Sequence, residues 1–199
     1  MALKIILCLI FGYLFGSLNF AIIYSKLKGD DIRNHGSGNA GATNVLRTYG
    51  KGPAAIVFIL DILKGVIAVI VARLILDGAI FECSAALGAV LGHNFPVYYK
   101  FKGGKGVATS FAVLIVLHWQ TALIALGVFI VICAISRIVS LSSICASVGA
   151  IVSSFIFFKI DAFSIFCTII GLLCIYRHKS NIKRLIEGNE NKLGHKKGC

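Results

Sequence analysis

The segment Phe101-Lys102-Gly103-Gly104-Lys105-Gly106-Val107-Ala108-Thr109 holds the residue types best suited to chemistry. Three glycines within four residues leave the backbone uncovered, so several N–H groups can converge on one small anion. Lys105 adds a point charge among them and Thr109 can add a hydroxyl. A phosphate suits such a cradle, although glycine-rich turns with lysines also serve as ordinary loops between helices. A nucleotide P-loop needs a Gly five residues before the Gly-Lys pair and a Ser or Thr after the Lys. Those positions hold Tyr99 and Gly106, which excludes ATP or GTP binding of that kind.

Two other polar segments could work on the same guest. Gly36-Ser37-Gly38-Asn39-Ala40-Gly41-Ala42-Thr43-Asn44, followed by Arg47, is small, polar and glycine-rich. Ser37, Thr43 and Asn44 offer neutral hydrogen bonds, and Arg47 a bidentate charged one. Such a set fits a polyol phosphate; it also fits a flexible loop. The second runs from Arg177 to Glu190, where His178 and Asn181 are three apart and share a face if helical. There Ile182, Leu185 and Ile186 make a stripe for lying on a membrane surface, and the bland alternative is a basic anchor.

The elements that must position these residues are apolar. Of 199 residues, 58% are hydrophobic and 14% charged. Apolar runs cover about residues 5–24, 54–76, 79–98, 106–135, 138–158 and 160–176. Runs of this kind cross bilayers. The glycine segment therefore sits at a membrane boundary, which suggests a substrate with an anionic head and a lipid tail. Little is left for a separate soluble domain, so residues 1–199 read as one membrane-embedded domain with a basic tail from about 177. The first run is long for a signal peptide, and its basic residues (Lys26, Lys28, Arg33) follow it, so it reads as an uncleaved span.

The net charge of +12 gathers at 26–51, 100–105 and 177–197. The positive-inside rule puts these three segments in the cytoplasm and the turn with Asp77 and Glu82 outside. Topology thus accounts for the charge without nucleic acid. A single helix over 106–135 would reach about 45 Å, against a hydrocarbon core of about 30 Å. His118-Trp119-Gln120 interrupts it, and only a break there leaves Arg137 and the tail both inside. The expectation is an all-α integral membrane protein with about seven transmembrane helices. Its N-terminus is out, its C-terminus in, and its fourth span, about 106–117, is short.

Within the membrane, Asp61 and Lys64 are three apart and read as a pair, or as part of a proton path. His93, in Gly92-His93-Asn94-Phe95-Pro96, reads as a packing donor or an acid–base group, and Pro96 as a helix end. The seven cysteines, at 8, 83, 133, 145, 167, 174 and 199, form no C-x-x-C pair. The five histidines, at 35, 93, 118, 178 and 195, show no ligand spacing. Neither a metal nor another cofactor is expected.

Together the three segments resemble those of the bacterial acyl-phosphate-dependent glycerol-3-phosphate acyltransferases. Ser37 to Asn44 with Arg47 is similar to the first family motif. Gly92-His93, Phe95-Pro96-Val97 and Gly103 to Thr109 are similar to the second, with Tyr98 where Phe is more usual. Arg177-His178, Asn181-Ile182, Arg184-Leu185, Gly188 and Glu190 are similar to the third. Arg137, Ser140, Leu141 and Ser143 resemble a shorter stretch. The likeness covers nearly the whole chain in order and spacing.

The resemblance implies transfer of an acyl group from an acyl phosphate to the 1-hydroxyl of sn-glycerol 3-phosphate, giving lysophosphatidate and inorganic phosphate. It further implies residence in the bacterial cytoplasmic (inner) membrane and a link to an enzyme that makes acyl phosphate. No His here is followed five residues later by Asp, so the H-x-x-x-x-D signature of other glycerolipid acyltransferases is missing. Gly103, Gly104, Lys105, Gly106, Val107 and Thr109 would hold the acyl phosphate. Ser37, Thr43, Asn44, Arg47, Lys105, His178 and Asn181 would hold glycerol 3-phosphate, and Ser143 would assist from the sixth span. Lys105, His178, Ser143 and Asn181 form the expected catalytic set. The proton goes to His178 or to a phosphate oxygen of the donor; the scarcity of carboxylates favours the second, with His178 orienting. A transporter is the rival class, but the internal repeats usual there are not visible.

Overall fold

The computed structural model describes residues 1–193; His195, Lys196, Lys197 and Cys199 lie outside the described residues. Those described are helical, with no strand among them. They divide into two units, Met1–Leu117 and a second that begins at His118.

In the first unit, α1 (Ala2–Gly16) and α2 (Phe20–Leu27) share what the sequence suggests is one span. The break comes from polar residues sealed inside the unit. Asn19 caps α2 by accepting from Ile22 N at 3.1 Å and donates to Ala40 O at 3.2 Å. Irregular backbone at membrane depth is tolerated only where protein covers it, and Ser17 and Asn19 are fully buried. The loop between α2 and the next long helix contains α3 (Ala42–Tyr49), whose buried side carries Asn44 and Val45.

α4 (Lys51–Ile75) is built the reverse way to a soluble helix. Ile56, Ile59, Leu63, Ile67 and Ile70 are exposed, while Ala54, Val57, Asp61, Lys64, Gly65, Ala68 and Ala72 are buried at helical spacing. The large apolar side chains suit lipid tails; the small ones let backbones approach. α5 (Ala79–Asn94) packs backbone against backbone on α1. A Cβ on Gly12 or Gly16 would run into the carbonyls of Ala85 and Ala89, and one on Gly88 or Gly92 into those of Leu9 and Tyr13. Each helix offers a G-x-x-x-G pair to the other. α5 ends just before Pro96, and α6 (Val107–Leu117) follows the glycine segment.

The second unit holds α7 (Trp119–Ser136), α8 (Val139–Phe158), α9 (Ala162–Arg177) and α10 (Lys179–Ile186). The expected break lies at His118, which caps α7 by accepting from Thr121 N at 3.3 Å. Its ring packs 4.6 Å from Phe158 and 5.6 Å from Phe163, centroid to centroid. α9 and α10 are bent by 56° at their junction.

Four helical stretches are long and apolar enough to cross a membrane: Ala2–Leu27, Lys51–Ile75, Trp119–Ser136 and Val139–Phe158. The bent pair α9 and α10 makes a fifth if counted together. α5 and α6, of 16 and 11 residues, fall short of a full crossing by length alone.

Candidate active site

In the first unit the structure folds two of the polar segments onto each other. The Asn44 amide organises the first loop: it donates to Ile32 O at 3.1 Å and to His35 O at 2.9 Å, and accepts from Ser37 N at 2.9 Å. Its polar atoms therefore shape the turn that carries Ser37. Ser37 and Arg47 stand exposed and Thr43 half-buried at the start of α3. Asp30 knits the loop to α3, accepting from the Tyr49 hydroxyl at 2.7 Å, with His35 Nε2 2.8 Å away. Those two bonds hold Asp30 down at about 2, while burial and the bond to Asp30 push Tyr49 up to about 12. Arg33, paired with Asp31 at 2.6 Å, donates to Tyr99 O at 3.1 Å, which ties the first loop to the approach of the second.

The glycine segment leaves α5 through Pro96 and a short 3-10 turn, Val97–Tyr99. Gly104 is wedged between the His93 ring and the Ala40 carbonyl, where no side chain fits. Gly106 has φ +76°, a left-handed backbone that favours glycine. A Cβ there would sit 2.7 Å from Asn94 Oδ1. The fully buried Asn94 amide has no hydrogen-bond partner at either polar atom among the described residues. Lys105, half-buried, lies between two buried glycines, and Val107 opens α6. The Thr109 hydroxyl donates to Asp61 O at 3.2 Å, which fastens α6 to α4.

In the second unit, His178 stands at the bend between α9 and α10 and is 2% exposed. Its Nδ1 lies 2.8 Å from Cys174 O and must donate to it, so in the neutral ring Nε2 is the acceptor. Asn181 N donates to His178 O at 2.8 Å, joining the two residues the sequence pairs. The Asn181 side chain donates to Glu190 Oε1 at 2.8 Å, and Arg184 Nε to Oε2 at 2.7 Å. Burial works to raise the Glu190 carboxyl, but these bonds outweigh it and hold the group below the usual carboxylate range. Ser143 is buried on α8, its hydroxyl donating to Val139 O at 2.9 Å.

Sequence reasoning passed over three of these functions. Glu190, named only as part of the third motif and given no role, anchors Asn181 and pairs with Arg184. The partnership of His93 with Lys64, at 2.9 Å, crosses 29 residues and leaves no local signature. Asn94 gave none either.

The sequence profile of the family described as glycerol-3-phosphate acyltransferase matches residues 6–188. A glycerol-3-phosphate acyltransferase of Thermoanaerobacter sp. (strain X514) is 46% identical over 192 residues, covering 96% of each chain. That of Halalkalibacterium halodurans is 47% identical over 199 residues, again covering 96% of each. Among solved structures, PlsY (YgiH), an integral membrane glycerol 3-phosphate acyltransferase, in its glycerol 3-phosphate form superposes with a TM-score of 0.89. It is 42% identical, over 96% of both chains. The lysophosphatidic acid form gives 0.86 at 41% identity, over 96% of this chain and 95% of that one. The chain therefore belongs to the glycerol-3-phosphate acyltransferase family and is an integral membrane acyltransferase.

Proposed function

We propose that this enzyme takes its acyl group from an acyl phosphate and passes it to the 1-hydroxyl of sn-glycerol 3-phosphate. The bond from the acyl carbon to the phosphate oxygen breaks and an ester to the glycerol oxygen forms. Lysophosphatidate and inorganic phosphate leave, the first acylation of phospholipid biosynthesis. The carrying observation is the loop from Gly103 to Gly106, whose three glycines are pressed so closely on His93, Ala40 and Asn94 that no side chain fits at any of them. Such a loop offers bare backbone and one lysine, which suits a phosphate and not a bulky carrier. An acyl phosphate is already activated, so the protein has mainly to neutralise two phosphates and align a hydroxyl with a carbonyl. That the family match runs through both units supports reading residues 1–199 as one acyltransferase domain.

In this reading Gly103, Gly104, Lys105, Gly106, Val107 and Thr109 form the donor site. Thr109 contributes through the fold of α6, since its hydroxyl is engaged by Asp61 O. Ser37, Thr43, Arg47, Lys105, His178 and Asn181 hold glycerol 3-phosphate, with Asn44 shaping the first loop and Ser143 assisting from α8. The test is purified enzyme with labelled glycerol 3-phosphate. One phosphate is expected per lysophosphatidate from acyl phosphate, none from acyl-CoA, and no effect of chelators. Turnover with acyl-CoA alone sinks the assignment.

His178 orients the acceptor from the bend between α9 and α10, and a phosphate oxygen of the donor takes the proton of the attacking hydroxyl. His178→Asn is then expected to keep measurable turnover and leave the acidic limb of the pH–rate profile in place. Undetectable turnover with normal acceptor affinity would make His178 the base.

α1 with α2, then α4, α5, α6, α7, α8 and α9, are read as seven crossings of the bacterial cytoplasmic membrane, N-terminus out and C-terminus in, with α6 a partial crossing packed in protein. The site then faces the cytoplasm, where a partner enzyme supplies acyl phosphate. Cysteine labelling of intact cells should reach position 119 from outside and not position 137. Labelling of both from one side refutes that topology.

A further inference from the structure

Asp61, Lys64 and His93 have no part in the chemistry above, yet they are 1%, 1% and 3% exposed. Lys64 Nζ lies 2.8 Å from Asp61 Oδ1, 2.9 Å from His93 Nδ1 and 2.9 Å from Leu18 O, the carbonyl at the break between α1 and α2. Asp61 Oδ1 lies off the line of a hydrogen bond, so charge holds that pair. An ammonium can only donate. With Lys64 charged, Nδ1 of His93, which also lies 3.4 Å from Asp61 Oδ1, accepts from the ammonium, and in the neutral ring the proton is on Nε2.

That edge of the ring faces the glycine loop. A Cβ on Gly104 would run into His93 Nε2, and Gly104 N donates to His93 O at 3.1 Å. His93 thus supports the loop with its ring and with its main chain. α4 also grips the far end of the segment: Asp61 O takes the Thr109 hydroxyl, and a Cβ on Gly65 would lie 3.1 Å from Thr109 O. Stability does not account for ionisable groups here. A buried ion pair is often no better than well-packed apolar residues of the same volume. Positioning accounts for them, since a charged donor to Nδ1 fixes both the plane and the tautomer of the ring.

We propose that Asp61, Lys64 and His93 form a positioning triad for the phosphate loop. Asp61 compensates Lys64, Lys64 fixes the His93 ring, and the ring sets Gly104, and with it Lys105, at the height the donor phosphate requires. This rests on the reading that the glycine loop holds that phosphate. The three residues act through the loop and touch neither substrate.

Two independent variants test it. His93→Asn places an amide where Nδ1 stood, keeping a partner for Lys64 while removing the ring from under Gly104. The double variant Asp61→Asn with Lys64→Met removes both charges and leaves no buried ion uncompensated. Each is expected to raise KM for the acyl donor about tenfold or more, a displacement effect. KM for glycerol 3-phosphate, to which Lys105 is one of six proposed contacts, should rise clearly less than KM for the donor, and the unfolding temperature in detergent should stay near wild type. His93→Gln, whose longer amide reaches the Nε2 position, should recover part of the loss. A folded variant of either kind with wild-type donor kinetics overturns the proposal, as does an equal rise in both KM values. Wild-type turnover with acyl phosphate decides the donor reading by itself. The variants are compared on whichever acyl donor the wild type uses, so the two readings fail separately.

Discussion

Replacing Lys105 by Ala is expected to lower turnover by about 10²–10³, the usual loss when one stabiliser of developing charge is removed. Its two neighbours in the chain, Gly104 and Gly106, are buried, and Gly106 is held at φ +76°. The backbone under Lys105 is thus fixed, and the side chain has little freedom to be replaced by a neighbour. Losing it leaves a phosphate in a low-dielectric site without its counter-charge. Arg47 supplies the contrast. It stands exposed on α3 and, in the proposed site, binds a part of the acceptor that does not react, so Arg47→Ala should mainly raise KM for glycerol 3-phosphate. Steady-state phosphate release measures both. A Lys105→Ala enzyme within about threefold of wild-type turnover contradicts the role given to Lys105.

Gly88→Leu is expected to yield no folded protein in detergent. A Cβ at Gly88 would enter the Leu9 carbonyl and come within 2.7 Å of Tyr13 N. Both are main-chain atoms, so no side chain can turn aside; the two helices must separate. Overpacking with adaptable neighbours costs about 1–3 kcal/mol, and backbone against side chain is the harder case. Even Gly88→Ala should lower the unfolding temperature by several degrees. Gly127 on α7 is the control, since nothing lies within 4 Å of a Cβ there. Gly127→Ala should leave stability unchanged or raise it by up to about 1 kcal/mol. Unfolding followed by fluorescence and size-exclusion chromatography reads both, and wild-type stability in Gly88→Leu refutes the close packing of α1 on α5.

The apolar segments were legible because hydropathy is a local property, and the break at His118 because a run of that length exceeds the bilayer. Asp61 and Lys64 were legible as a pair because three residues of helix bring them together. The break at Ser17 to Asn19 was not, since it depends on Ala40 and Lys64 arriving from elsewhere to take up freed polar groups. Gly12 and Gly16, like Gly88 and Gly92, were visible at spacing four, but nothing local says that each pair meets the other. The same holds for the site. The motif residues could be named from their likeness to the family's motifs. That Asn44 would turn its amide to Ile32 and His35, or that Asn181 would lean on Glu190, follows only once the chain has folded.

The spacing of Asp61 and Lys64 also bears on how the chain reaches the membrane at all. A lone charge at the centre of an entering helix costs about 2.5–3.5 kcal/mol. Here both charges belong to one helix and form an ion pair at i,i+3. The middle of α4 can enter the lipid as a neutral stretch without waiting for Leu18 or His93. A chain with only one of the two charges would meet the insertion machinery carrying an unpaired ion. Its defect would surface during biogenesis, as less protein in the bilayer, before any assay of turnover could register it.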